Sequence, residues 1–241
     1  MAPTSDNAKK RTPIRRPLRV FAYDPSLATE LENFDVSEVS VDVRWEENLQ
    51  AGPVGEYLEV VDVDPASGCA YAPVDLNDPT LLAEDGLAPS EGNPQFHQQM
   101  TYAVAMSTIQ HFERALGRSI LWSDQRLNNK RPEKDDFVYT DKLRIYPHAL
   151  RENNAYYDPS KKALLFGYFP SQPAEVGLDM PGGLVFSCLS HDIIAHETTH
   201  AILDGVQPYF LEPTNVDVLA FHEAFADIVA LFEHFTYPEI P

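Results

Sequence analysis

Cysteine is nearly missing from this chain: Cys69 and Cys188 are the only two. That is too few for a disulfide framework, so a buried apolar core has to hold the fold. Neither has metal-ligand spacing to another ligand type; both read as small buried hydrophobes, and their positions leave open whether they pair. Positive charge is scarce as well. Eighteen Lys and Arg stand against thirty-seven Asp and Glu, a formal net charge of −19. Such a balance opposes binding to nucleic acid or to an anionic membrane surface, and it reads first as a solvated acidic surface. No apolar run reaches membrane-spanning length. No apolar segment follows the basic residues near the N-terminus, so no secretory signal peptide is expected, and the cytoplasm is the default location. Internal repeats are absent.

What is present suffices for one sizeable core. With 241 residues and 44% hydrophobic content, one domain or one large lobe is expected. Residues 1–17 carry Lys9, Lys10, Arg11, Arg15 and Arg16 among Pro, Ser and Thr, the composition of a disordered basic arm. Three alternating runs follow, Leu18–Tyr23, Val39–Val43 and Tyr57–Val63, and predict a β-rich part over 18–93. Residues 73–94, rich in Pro, Asp and Gly, predict an irregular connection. Gln95–Leu116 predicts the first long helix, stopped by Gly117. His97 and His111 lie on it without a partner pattern and read as surface or hydrogen-bonded histidines. Short strands are expected at Ile120–Trp122 and Leu143–Tyr146.

The chemistry concentrates near the C-terminus. His196-Glu197-Thr198-Thr199-His200 is embedded in an apolar run, and positions four apart share a helical face. Two imidazoles one turn apart can grip a single zinc ion, with Glu197 beside them as a base acting on a metal-bound water. A second apolar-periodic run contains His222-Glu223-Ala224-Phe225-Ala226-Asp227. Glu223 completes a catalytic zinc set of three protein ligands: His196, His200 and Glu223. Asp227, one turn on, can take the free ring N–H of a ligating histidine and orient it, and Asp192 is a further candidate for that orienting role. Ala220, Ala224, Ala226 and Ala230 would let the two helices approach closely. The zinc helix is expected to start at Ser187 or Ser190 and to stop at Asp204-Gly205; Thr214 is expected to cap the glutamate helix. His222 and His234 read as structural.

The pair HETTH and HEAFADI resembles the thermolysin-like zinc metallopeptidases, whose third ligand is a glutamate in an E-x-x-x-D helix. Ser190-His191-Asp192-Ile193-Ile194-Ala195 is similar to the approach to that family's zinc helix. Asn153-Asn154-Ala155-Tyr156-Tyr157-Asp158, with the return strand Ala163–Tyr168, is similar to its N-A-x-W edge strand. The likeness covers roughly residues 140–235. It implies an α+β, zincin-like lobe: a β-rich N-terminal part, a sheet with an edge strand, and two packed active-site helices. It further implies zinc-dependent hydrolysis of peptide or protein substrates, with Asn154 holding the substrate backbone, Ala155 offering its carbonyl, and Tyr157 lining an apolar groove. Without the resemblance, the same segment is a plain hairpin turning at Asp158-Pro159-Ser160.

The sequence also departs from the family. Its members take an oxyanion-stabilising histidine and a substrate-holding arginine from a second, helical lobe, and the residues up to Pro241 carry none. A truncated piece of a longer protease is therefore one expectation, and feeble cleavage by this form follows from it. A longer form would cut on the amino side of apolar residues. Tyr209 stands, at a different spacing, where a catalytic tyrosine follows the zinc helix. The family's calcium ligands mostly follow the glutamate helix, so calcium stays open. The alternative function is a non-catalytic, zinc-stabilised module that binds peptides along the Asn154 strand; retention of Glu197 argues against it. No G-x-M-E-N motif of an aminopeptidase is present.

Overall fold

The computed structural model describes residues 13–25, 38–126, 137–171, 183–207 and 214–237. In chain order the strands are β1 (Arg15–Phe21), β2 (Glu38–Arg44), β3 (Leu58–Val60), β4 (Val63–Asp64), β5 (Cys69–Ala70), β6 (Gln125–Arg126), β7 (Phe137–Val138), β8 (Leu143–Leu150), β9 (Ala155–Asp158), β10 (Ala163–Pro170) and β11 (Leu184–Phe186). The helices are α1 (Pro79–Ala83), α2 (Pro94–Leu116), α3 (His191–Val206) and α4 (Val216–His234). Mixed α+β architecture is thus established. Among the described residues no helix is long and apolar enough to cross a membrane.

The largest sheet has five strands. β3 and β10 run parallel to β8 on its two sides. β9 pairs antiparallel with the first half of β10, and β11 with the second half. β10 is buried from Ala163 to Tyr168, as a strand covered on both faces must be. Tight packing sets its shape: a Cβ on Gly167 would lie 2.3 Å from the Glu152 carbonyl and 2.6 Å from that of Asn154. Glycine there lets the turn before β9 fold onto the sheet.

α2 is the hub. It is buried continuously from Phe96 to Ile109 and packs against the antiparallel pair β1–β2, the main sheet and α3. Asn93 caps its start, and Gly117, at φ 67°, ends it. Its buried amides replace sheet pairing for the irregular connection. Gln98 accepts from Val74 N–H and donates to Asp62 and to the Ala72 carbonyl. Gln99 accepts from Leu87 N–H and donates to the carbonyls of Arg19 and Leu87. Satisfied this way, buried polar groups specify the loop's path rather than destabilise it.

Several local expectations need correction. Arg15–Pro17 belong to β1 rather than to the basic arm: Arg16 is buried over the Trp45 ring and donates to Asn77 Oδ1 at 2.7 Å. Ile120–Trp122 form no strand; Trp122 instead donates its indole N–H to the Tyr57 carbonyl. α3 ends at Val206, one residue past the expected stop; Gly205 is its last but one residue, and a Cβ there would meet the Leu121 carbonyl at 2.0 Å. Ser190 is the N-cap of α3 by position, without a side-chain hydrogen bond. Asn215, not Thr214, caps α4, accepting from Asp217 and Val218 N–H. Of the four alanines only Ala226 and Ala230 are buried, in line with His222 and Glu233; Ala220 and Ala224 are exposed. Cys69 and Cys188 do not pair; the first is exposed and the second buried.

Where α3 begins, His191 is buried with Nε2 2.7 Å from the Tyr237 hydroxyl, and its Nδ1 has no partner among the described residues. Burial pushes its pKa from 6.5 to about 4, against the pull of Glu233. Between those values the unfolded chain binds more protons than the folded one, so stability rises with pH. The contribution is complete above about pH 6.5 and lost towards pH 4, on the order of 3 kcal/mol. Denaturant unfolding across that range should show the decline, with a flatter profile for His191→Gln; identical profiles would remove the assignment.

Candidate metal centre

α3 and α4 pack side by side and present the HETTH residues to Glu223 and Asp227. His196 and His200, one turn apart, place their Nε2 atoms 3.0 Å from each other. From α4, Glu223 brings Oε2 to 3.3 Å from His196 Nε2 and Oε1 to 3.7 Å from His200 Nε2. One ligand atom from each of the three residues lies within 4.8 Å of the others. On the far side of the His196 ring, Nδ1 is 2.9 Å from Asp227 Oδ1. That contact makes Nδ1 the protonated nitrogen and leaves a lone pair on Nε2. Nε2 then faces a carboxylate oxygen and a second imidazole, so electron pairs converge on one point. A cation there resolves the repulsion, and nitrogen, nitrogen and oxygen donors are a set that zinc accepts.

The carboxylates are not held there by folding. The side chains of Glu223 and Asp227 are 65% and 74% exposed, and pairs this open add at most about 1 kcal/mol to stability. Burial, with neighbouring His196 second, pushes His200 down to about 4, which keeps it in the neutral, ligating form.

Glu197 reaches β9. Its Oε2 accepts the backbone N–H of Tyr157 at 2.8 Å. Burial raises its pKa to about 7, although His196 and the Tyr157 N–H pull it down. A carboxyl group balanced near neutrality can both take and return a proton. Glu197, His196, Asp227 and Ala155 line one cleft of about 460 Å³, together with Asp192, Ile193, Ala230 and Leu231.

Among the described residues β9 pairs on one side only, with β10. Residues two apart on a strand direct their backbone groups to the same edge. Since the Tyr157 N–H reaches Glu197, the Ala155 backbone groups also face the unpaired edge, beside the cleft. Asn154 is exposed, one residue before β9, and its carbonyl accepts from Ser187 Oγ at 3.4 Å.

Two placements differ from the sequence reading. The Tyr157 side chain does not line a groove: it is buried, and its hydroxyl donates to Asp204 Oδ2 at 2.7 Å. Lys162 Nζ donates to the same oxygen, also at 2.7 Å, so this trio pins the β9–β10 turn to α3. Asp192 orients neither His196 nor His200; its carboxylate pairs with His234 Nε2. Tyr209 lies outside the described residues.

Three participants were missed. Lys162 and Asp204 hold the strand that holds Glu197; Asp204 falls seven residues after Glu197 on the same helix face, a spacing that hinted at it. His222 is the third. It is buried, with Nδ1 3.0 Å from His200 Nδ1 and the two rings stacked at 21°. Burial lowers its pKa as well. His222 stands one step round α4 from Glu223, yet a helix packed at close range touches its neighbour through more than one column of side chains.

Compared with known proteins, the chain matches no family model and no curated protein sequence.

Proposed function

We propose that this chain is a zinc-dependent peptidase of thermolysin-like, zincin type, acting on extended peptides laid along the free edge of β9. The observation that carries the reading is the convergence of His196, His200 and Glu223 on one point, with Glu197 beside it as a fourth group that is not a ligand. A zinc-stabilised binding module has no use for a carboxyl group that lines the cleft beside the ligand set without belonging to it.

His196 Nε2, His200 Nε2 and Glu223 would hold a zinc ion, which would supply Lewis acidity towards a carbonyl and a water. Glu197 takes the proton of the attacking water on the carboxylate oxygen not engaged by Tyr157, then returns it to the leaving nitrogen. Asp227 holds the tautomer of His196. The free edge of β9 orients the substrate by main-chain hydrogen bonds, through the Ala155 carbonyl among others. Asn154, exposed at the start of that strand, is placed to contact the substrate backbone.

Cleavage of an unstructured peptide tests the reading directly: activity is lost to a chelator and restored by added zinc. Cleavage that continues in fully metal-free protein sinks it. A finer expectation concerns His222, whose Nδ1, 3.0 Å from His200 Nδ1, would accept the His200 Nδ1 proton when Nε2 is the ligand. Removing the group that orients a ligating histidine costs about 10- to 100-fold in metal affinity. Competition with a chromophoric chelator should show that loss in His222→Ala; unchanged affinity would leave His222 a packing residue.

A further inference from the structure

Away from the cleft, a second set of ligand-type side chains is enclosed in the core. His97 of α2, His148 of β8 and Cys188, in the short 3-10 turn before α3, are each at most 2% exposed. One ligand atom from each lies within 4.8 Å of the others. The three come from elements far apart in sequence, so no local turn chemistry brings them together.

The hydrogen-bond pattern around the two rings is the informative part. His97 Nε2 is 2.9 Å from the Glu91 carbonyl, which can only accept, so that nitrogen carries a proton. His148 Nδ1 is 2.6 Å from Asp62 Oδ1, and Asp62 is itself held by the Gln98 amide at 2.7 Å. An ionised Asp62 makes His148 Nδ1 the donor. The two remaining nitrogens, His97 Nδ1 and His148 Nε2, then both carry lone pairs, and they face each other at 2.8 Å. With both rings neutral, two acceptors so close call for a shared cation, a proton or a metal ion, and the Cys188 thiol buried beside them favours the metal.

We propose that His97 Nδ1, His148 Nε2 and Cys188 Sγ form a second, buried metal site for a borderline-soft divalent cation of the zinc type. Two imidazoles and a thiolate exclude calcium and magnesium, which take oxygen. Asp62 does for His148 what a carboxylate does for a metal-ligating histidine elsewhere, fixing tautomer and ring orientation. The Phe186 ring, 4.7 Å from His97 and 5.7 Å from His148, and the Tyr71 ring, 5.0 Å from His148, close the site to solvent. Such a site is structural: it ties α2, β8 and the start of the zinc helix to one ion. The ion replaces the thiol proton of Cys188, which leaves to solvent, so binding releases one proton and involves no redox change. With all three ligands buried, the ion enters as the chain folds.

Refolding the denatured chain with Co²⁺ tests this independently of the catalytic reading, because the centre on α3 and α4 has no sulfur ligand. The expected result is a thiolate-to-cobalt charge-transfer band in the near ultraviolet, kept in Cys69→Ser and in His196→Ala/His200→Ala, and lost in Cys188→Ser. No band in the unmodified chain, or a band that survives Cys188→Ser, overturns the proposal. If Cys188→Ser does not fold, X-ray absorption on zinc-refolded Cys69→Ser protein decides. Sulfur in the nearest shell of part of the zinc supports the site; nitrogen and oxygen alone overturn it.

Discussion

Glu197→Gln keeps its zinc and loses cleavage. Glu197 is no ligand in the arrangement seen here: its carboxylate turns to β9, where Oε2 accepts the Tyr157 N–H at 2.8 Å. A glutamine preserves that bond by offering its carbonyl oxygen to the same N–H. Its NH₂ group then occupies the position of the free carboxylate oxygen and can only donate, so it cannot accept the proton of a water. Removing a positioned general base costs about 10²- to 10⁴-fold in rate. Zinc stoichiometry by elemental analysis should equal that of the unmodified chain, with peptide cleavage reduced by that factor. Undiminished cleavage by pure Glu197→Gln protein, contaminating protease excluded, would mean that the mechanism is wrong. Equal zinc binding with no cleavage by either protein would instead favour a peptide-binding module.

His200→Ala should lose one equivalent of zinc and melt well below the unmodified chain. His200 Nε2 is near both other ligands, 3.0 Å from His196 Nε2 and 3.7 Å from Glu223 Oε1. Because the set spans α3 and α4, a bound ion stabilises the packing of one helix on the other. A ligand at about a thousand times its dissociation constant adds about 4 kcal/mol. For a chain of this size that is on the order of 10 °C in Tm. Treating the unmodified chain with an accessible chelator should reproduce the part of the fall that belongs to the ion, while truncating the buried imidazole stacked on His222 adds a packing loss of its own. Full zinc content in His200→Ala, or a Tm indifferent to chelation, would remove the ligand assignment.

Much of the site was legible because a helix converts sequence spacing into geometry. His196 with His200, and Glu223 with Asp227, each share a face by the four-residue repeat alone. Two such faces on adjacent helices leave few ways to meet, and the His196–Asp227 contact of 2.9 Å joins them. Strand alternation likewise located β1 and β2 to within a few residues, and the resemblance located the β9–β10 hairpin. What depended on contacts between distant segments was not legible. Tyr157 reads as a groove aromatic until Asp204 and Lys162 are seen to draw its hydroxyl inward. Gly205 reads only as a helix stop until the Leu121 carbonyl is found against it.

The sequence alone therefore determined the candidate ligand types, their spacing on two helices and the carboxyl group beside them, since these follow from local backbone repeat. Tertiary structure decided which face of each helix is buried, and with it the roles of His222, Asp192 and Tyr157. It also brought His97, His148 and Cys188 into one enclosed cluster. The physical reason is the same in each case: burial and hydrogen-bond partners belong to pairs of residues far apart in the chain, and no period in the sequence records them.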